Sequence, residues 1–174
     1  MRRFALAYLI MFVTLATVSS VGIIREERAE ANVRTSIRQL DLHTLTSAED
    51  AAARLTRLGL GLPAFAGALE SADTLPSGQT IIRGWALDLN DPTKRLRVRA
   101  HCGGEPIVPD VVSRRWRNDI AQTLQRSDLS KVRMGFALIF VQRPTCPNGT
   151  PFSVLAFDDQ GRGAVVPGAL RLSP

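Results

Sequence analysis

Two cysteines, two histidines and a stretch of alternating arginines are what this 174-residue sequence offers to chemistry. Cys102 and Cys146 are an even pair with only His101 close to either. A disulfide is therefore the expected pairing, ahead of free buried thiols, and no metal site is expected because zinc needs four ligands. His43 and His101 stand far apart in sequence with no nucleophile beside them, and Asp158 and Asp159 run into Gln-Gly-Arg-Gly, which reads as a turn. Asn148-Gly149-Thr150 matches a glycosylation acceptor, but the following Pro151 favours a hairpin turn. The chain contains no G-x-S-x-G elbow, P-loop, G-x-G-x-x-G, H-E-x-x-H or C-x-x-C. No catalytic residue, enzymatic activity or cofactor is assigned.

The chemistry that remains is binding, and it centres on "IIRGWALDLNDPTKRLRVRAH", residues 81–101. In period-two order Leu96, Val98, Ala100 and Cys102 point inward, so Arg95, Arg97, Arg99 and His101 point outward. Arg114, Arg115 and Arg117, with Trp116 among them, extend this patch if their loop folds over the same face. Two readings are open: a solvated sheet face whose arginines discourage edge-to-edge aggregation, or a surface for an acidic partner, whether anionic lipid headgroup, acidic glycan or acidic protein. Nucleic acid is not expected, since no reading motif is present. Trp85 alternates with Gly84 and reads as a core anchor ahead of a sugar-stacking platform, whereas Trp116 is the better candidate for an exposed aromatic.

Charge is distributed unevenly. Residues 25–70 set six arginines against seven carboxylates, whereas residues 71–174 carry fourteen basic groups against nine acidic ones. The basic excess belongs to the C-terminal part.

The elements that must position these residues begin with an uncharged run, "FALAYLIMFVTLATVSSVGII", residues 4–24, behind Arg2 and Arg3. As a helix it would be roughly 30 Å long, the thickness of a bilayer's hydrocarbon core. A cleaved signal peptide is the rival, but its apolar region normally stops sooner, so a retained single-span anchor is favoured. The two arginines place the N-terminus in the cytoplasm and the rest across the membrane. Beyond the span, Ala29, Val33, Ile37 and Leu40 form one apolar seam on a helical stalk, free to pack on its own domain, on a copy or on a partner. A second helix is expected with Thr46 and Glu49 as a capping box and Ala52, Leu55 and Leu58 buried, ending at Gly59 and Gly61 before a short turn through 63–72.

From residue 80 the period changes to two. The strands are expected at Thr80–Asp88, Arg95–Cys102, Ile107–Val112, Met134–Gln142, Phe152–Asp158 and Ala164–Leu170, with a short helix capped by Asn118 or Asp119 and carrying Ile120 and Leu124. The fold class is mainly β: an antiparallel, immunoglobulin-like β-sandwich behind a transmembrane helix and stalk. The units are 1–24 (anchor), 25–76 (helical stalk and linker) and 77–174 (periplasmic sandwich).

Gly84-Trp85-Ala86, then Asp88, an Asp-Pro turn and a strand, an arginine and aspartate ahead of a short helix, and Gly135-Phe136 together resemble a small β-sandwich module. That module is associated with bacterial glycosyltransferases and other cell-envelope polysaccharide proteins, and the resemblance covers residues 79–158. It implies an envelope setting and a non-catalytic sandwich. The expected function is a membrane-anchored accessory subunit of the bacterial inner membrane, docking on a larger membrane complex through Val33, Ile37 and Leu40 of the stalk and the arginine patch. The alternative is a glycan-binding module of polysaccharide synthesis or export.

Overall fold

A computed structural model describes residues 22–41, 47–102, 105–142, 144, 146 and 152–168. Most of the expected span, His43, Thr46 and the 148–150 turn lie outside the described residues. Among the described residues no helix is long and apolar enough to cross a membrane.

In chain order the elements are α1 (22–40), α2 (Ala48–Arg57), β1 (Phe65–Thr74), β2 (Thr80–Asp88), β3 (Arg97–Cys102), β4 (Glu105–Ile107), β5 (Val111–Arg115), α3 (Asn118–Thr123), a 3₁₀ turn (Ser127–Lys131), β6 (Gly135–Phe140), β7 (Phe152–Phe157) and β8 (Gly163–Val165). The strands make two four-stranded sheets, ordered β1-β2-β6-β5 and β4-β3-β7-β8, with every pairing antiparallel. Alternation sends Ile82 and Leu138 of the first sheet, and Val98, Ala100 and Val154 of the second, into one shared core. The sheets therefore pack as a sandwich, and each large apolar side chain so buried contributes about 2 kcal/mol. Gly84 makes room for the ring of Phe136: a Cβ there would stand 2.8 Å from Phe136 Cζ and 2.5 Å from the Ala68 carbonyl oxygen.

Both sheets also bury part of their outer faces. On one, Val33 and Leu40 of α1 and Leu55 of α2 cover Leu155 and Phe157 of β7. Strand β7 is thus buried on both sides, which is why "FSVLAF" is apolar at every position but Ser153, with little alternation. On the other sheet, Ala121 of α3 and Leu129 of the 3₁₀ turn cover Leu87 and Met134, with Trp85 half-buried alongside as an anchor of that layer.

The stalk expected over 25–76 is accordingly no separate unit. Val33, Ile37 and Leu40, expected to contact a partner, meet the chain's own sheet, because outward Leu155 and Phe157 need a cover as much as the seam does. Residues 65–74, expected in part as a turn, form strand β1, paired with β2 from Phe65↔Asp88 to Thr74↔Thr80. "AGAL" has no alternation and low strand propensity, so long-range pairing decides this element. Helix α2 is capped by Ser47, whose Oγ accepts the Asp50 N–H at 3.1 Å, and it buries Ala51 and Leu55. Ala52 and Leu58 are exposed. The strand expected at Ile107–Val112 is split by Pro109, so that the chain leaves one sheet with β4 and enters the other with β5. Helix α3 follows Arg117 and has no side-chain cap.

Candidate functional site

Arg97, Arg99 and His101 do leave β3 on its outer face, and α1 lies across that face. Glu26 and Glu30 stand one turn apart on α1, and both reach the stripe. Arg97 is 9% exposed; its Nη2 lies 2.9 Å from Glu26 Oε2, its Nε 3.7 Å from Glu30 Oε2, and it also pairs with Asp159. Arg99 pairs with Glu30 and donates to the Val98 carbonyl at 3.0 Å. Burial pulls the Arg97 pKa down, but the Asp159 hydrogen bond and the Glu26 charge outweigh it and hold the group above its usual value. The acidic counterpart of this stretch is the protein's own helix.

The β7–β8 turn completes the contact. Asp158 is fully buried and accepts the backbone N–H groups of Gln160 and Arg162, each at 2.9 Å, together with Arg162 Nε at 2.8 Å. This organises the turn as its sequence suggested and leaves Asp159 to grip Arg97. Asn32 Nδ2 donates to the Asp159 carbonyl at 2.9 Å. Gly161 has φ +80°, and a Cβ on it would stand 2.5 Å from Ser36 Oγ and 2.8 Å from the Asn32 carbonyl oxygen. Only glycine allows α1 so close.

His101 is 2% exposed, and neither ring nitrogen has a hydrogen-bond partner. Burial first, and the charge of Arg99 second, lower its pKa to about 4, so the ring is neutral at pH 7.

The remaining expected residues scatter instead of extending one patch. Arg95 is exposed. Arg114 turns towards the opposite sheet, where it donates to the Leu96 carbonyl, and its Nε is buried without a partner. Burial, then the charges of Arg95, Arg97 and Arg99, lower its pKa to about 10. Arg117 donates to both carboxylate oxygens of Glu70 at 2.7 Å and to Asp119 Oδ2 at 2.6 Å, tying β1 to the start of α3. Its stem crosses Gly135, where a Cβ would meet Arg117 Cγ at 2.7 Å. These hydrogen bonds, from Asp119 first, raise the Arg117 pKa, and the same bond holds Asp119 down at about 2. Arg115 is exposed, and Trp116 is 51% exposed with the Arg133 guanidinium 4.9 Å from its ring centroid.

The Cys102–Cys146 disulfide is present, with Cα atoms 5.2 Å apart, and joins the end of β3 to the segment after β6. Among the described residues no cluster of three or more His, Cys, Asp or Glu side chains could hold a metal.

Sequence reasoning missed two groups. Glu26 and Glu30 were legible only as solvated charges and Asp159 only as part of a turn, although the i,i+4 spacing of the two glutamates beside the apolar seam matches arginines two residues apart on a strand. The second group is apolar: Val108, Val111, Val112 and Val141 are exposed around β5. Ile107, Val108, Asp110, Phe140, Val141 and Pro144 line a shallow groove of about 320 Å³ there. What this arrangement can do is bind. Comparison with family models, curated proteins and solved structures finds no match to the chain.

Proposed function

We propose that this chain is a non-catalytic accessory subunit, anchored in the bacterial inner membrane by residues 4–24 with its sandwich in the periplasm, that docks on a larger envelope complex. One observation carries the reading: the apolar strip beside β5, where Val108 is 83% exposed, Val141 59% and Val111 51%. The chain's own helices cover the outer face of one sheet at β7 and that of the other around Leu87 and Met134, so the apolar surface left open beside β5 points to contact with a partner. The docking surface thereby moves from the arginine stripe, which is occupied from within, to the β5 side. Ile23 and Ile24, exposed at the start of α1, continue the apolar run and support the anchor. The disulfide supports an oxidising compartment.

The test is extraction of the full-length protein from native membranes in mild detergent, with native electrophoresis and mass spectrometry of what co-migrates. Stoichiometric companions are expected for the wild type, and their loss is expected for the Val111→Asp, Val141→Asp double variant at an unchanged melting temperature. A wild-type protein that migrates alone rejects the accessory role.

A glycan-binding module is the second reading, favoured by the half-exposed Trp116 ring and the guanidinium beside it. Loss of retention on the native polysaccharide in Trp116→Ala, with companions unchanged, selects it.

A further inference from the structure

A sandwich has four sheet edges, and three of these are managed. β1 carries a bulge between Leu69 and Ser71 in its pairing with β2, and on its outer side the Leu69 N–H donates to the Pro167 carbonyl at 2.7 Å. β8 is bonded by the chain before β1, Leu62 N–H to the Gly163 carbonyl at 3.0 Å and Gly163 N–H to the Leu60 carbonyl at 2.6 Å. β4 is three residues long with Pro106 at its centre. Bulges, coverage and proline are the usual protections of an edge.

β5 differs. It runs for five residues without proline or bulge, and among the described residues it pairs only with β6. Alternate N–H and C=O groups of Val111–Arg115 therefore point away from the sheet, available to another strand. Apolar side chains are exposed on both faces of this edge, since Val111 lies opposite Ile139 on the outer face and Val112 opposite Leu138 on the inner one.

The edge is also cationic. Among the described residues Arg115 has no carboxylate partner, Arg133 lies over Trp116, and Arg114 has a single carbonyl acceptor and a buried Nε without one. Asp110, at the start of the strand, is occupied by the Val141 N–H at 2.6 Å. A second copy of this chain pairing antiparallel about Ser113 would set Val112 and Val111 opposite Arg114 and Arg115, and so supply neither guanidinium with a carboxylate.

We infer that β5 is the docking strand: it accepts by strand addition an extended segment of a different protein, with apolar residues against Val111 and Val112 and carboxylates against Arg115 and Arg114. Main-chain hydrogen bonds supply affinity in this mode, and the alternate side chains supply selectivity. The inference rests on the accessory-subunit reading for its biological partner, but its chemistry can be tested apart from that reading.

The probes are synthetic ten-residue peptides with a central Glu-Glu-Thr-Val-Val, which in antiparallel pairing sets glutamates opposite Arg115 and Arg114 and valines opposite Val112 and Val111, the same with lysine for glutamate, and the glutamate peptide N-methylated at alternate amides. Each is added to the full-length protein in detergent micelles, with binding read by fluorescence anisotropy and pairing by amide hydrogen exchange. The glutamate peptide is expected to slow exchange in residues 111–115 and to bind about tenfold more tightly than the lysine peptide. N-methylation is expected to abolish binding, and Arg115→Glu to reverse the preference with its melting temperature unchanged. Equal binding of the two charged peptides, or binding that leaves residues 111–115 unprotected, overturns the inference. If the protein migrates alone from native membranes while the glutamate peptide pairs with β5, the accessory role falls and the docking strand stands.

Discussion

Arg95 and Arg97 are two residues apart on one stripe, and their surroundings make them opposites. Arg95 faces water; Arg97 is enclosed by Glu26, Glu30 and Asp159. Removing the guanidinium at 97 strips charged hydrogen bonds from a buried site, so Arg97→Met is expected to cost about 2 kcal/mol in urea unfolding, against less than about 0.5 kcal/mol for Arg95→Ala. Equal effects would show that α1 does not cover the stripe. His101 supplies a pH signature. The unfolded ring takes up its proton near pH 6.5, and the folded ring resists until about pH 4. Between those values the unfolded state binds more protons, so stability is complete above pH 6.5 and falls as the pH drops, by about 1.4 kcal/mol per pH unit at most. His101→Leu is expected to flatten the unfolding midpoint across that window, because leucine neither titrates nor leaves ring nitrogens unpaired. A slope that survives the substitution would assign the effect to other groups.

At the scale of elements, what was legible divides by range. β2 appears at its expected bounds, and β3, β6 and β7 within about two residues, because alternation and turn chemistry are local signals. β1 was hidden, since its small residues carry no period and only nine positions of pairing with β2 hold it as a strand. The site was legible in residue type but not in partner. Alternation put Arg97 and Arg99 on an outer face, yet nothing local could say that the face would meet Glu26 and Glu30, some seventy positions earlier in the chain. The short motifs around Gly84 and Gly135 turn out to be packing devices, one seating Phe136 and the other passing Arg117 to Glu70. The α1 contact has a similar device in Gly161. Gly161→Ala combines a positive φ with the Ser36 hydroxyl and the Asn32 carbonyl oxygen under 3 Å away, so it is expected to lift α1 from the sheet. Faster amide exchange in residues 29–40, with residues 135–140 unchanged, is the measurement, and uniform exchange would show that α1 and the sandwich unfold as one.

For the whole molecule, the four layers are held by apolar burial, and the disulfide adds a constraint on the unfolded chain that no layer supplies. Cys102 and Cys146 are 44 residues apart, and the loop they close spans β4, β5, α3 and β6. In the chain-entropy account such a loop stabilises by about 4 kcal/mol. The β5 edge lies inside this loop, joined along the chain to the second sheet by the β4 link and held to it by the bridge and the Arg114 hydrogen bond, so the disulfide also sets how firmly the docking strand is presented. Reduction, or the Cys102→Ala, Cys146→Ala double variant, is expected to lower the unfolding free energy by about that amount while preserving both sheets in circular dichroism. If the edge depends on the bridge, exchange in residues 111–115 rises on reduction more than in residues 80–88, on the far side of β6. An equal rise in both segments would mean that the bridge acts only on the unfolded chain, and that β5 is held in place by its register with β6 from Val111↔Ile139 to Arg115↔Gly135.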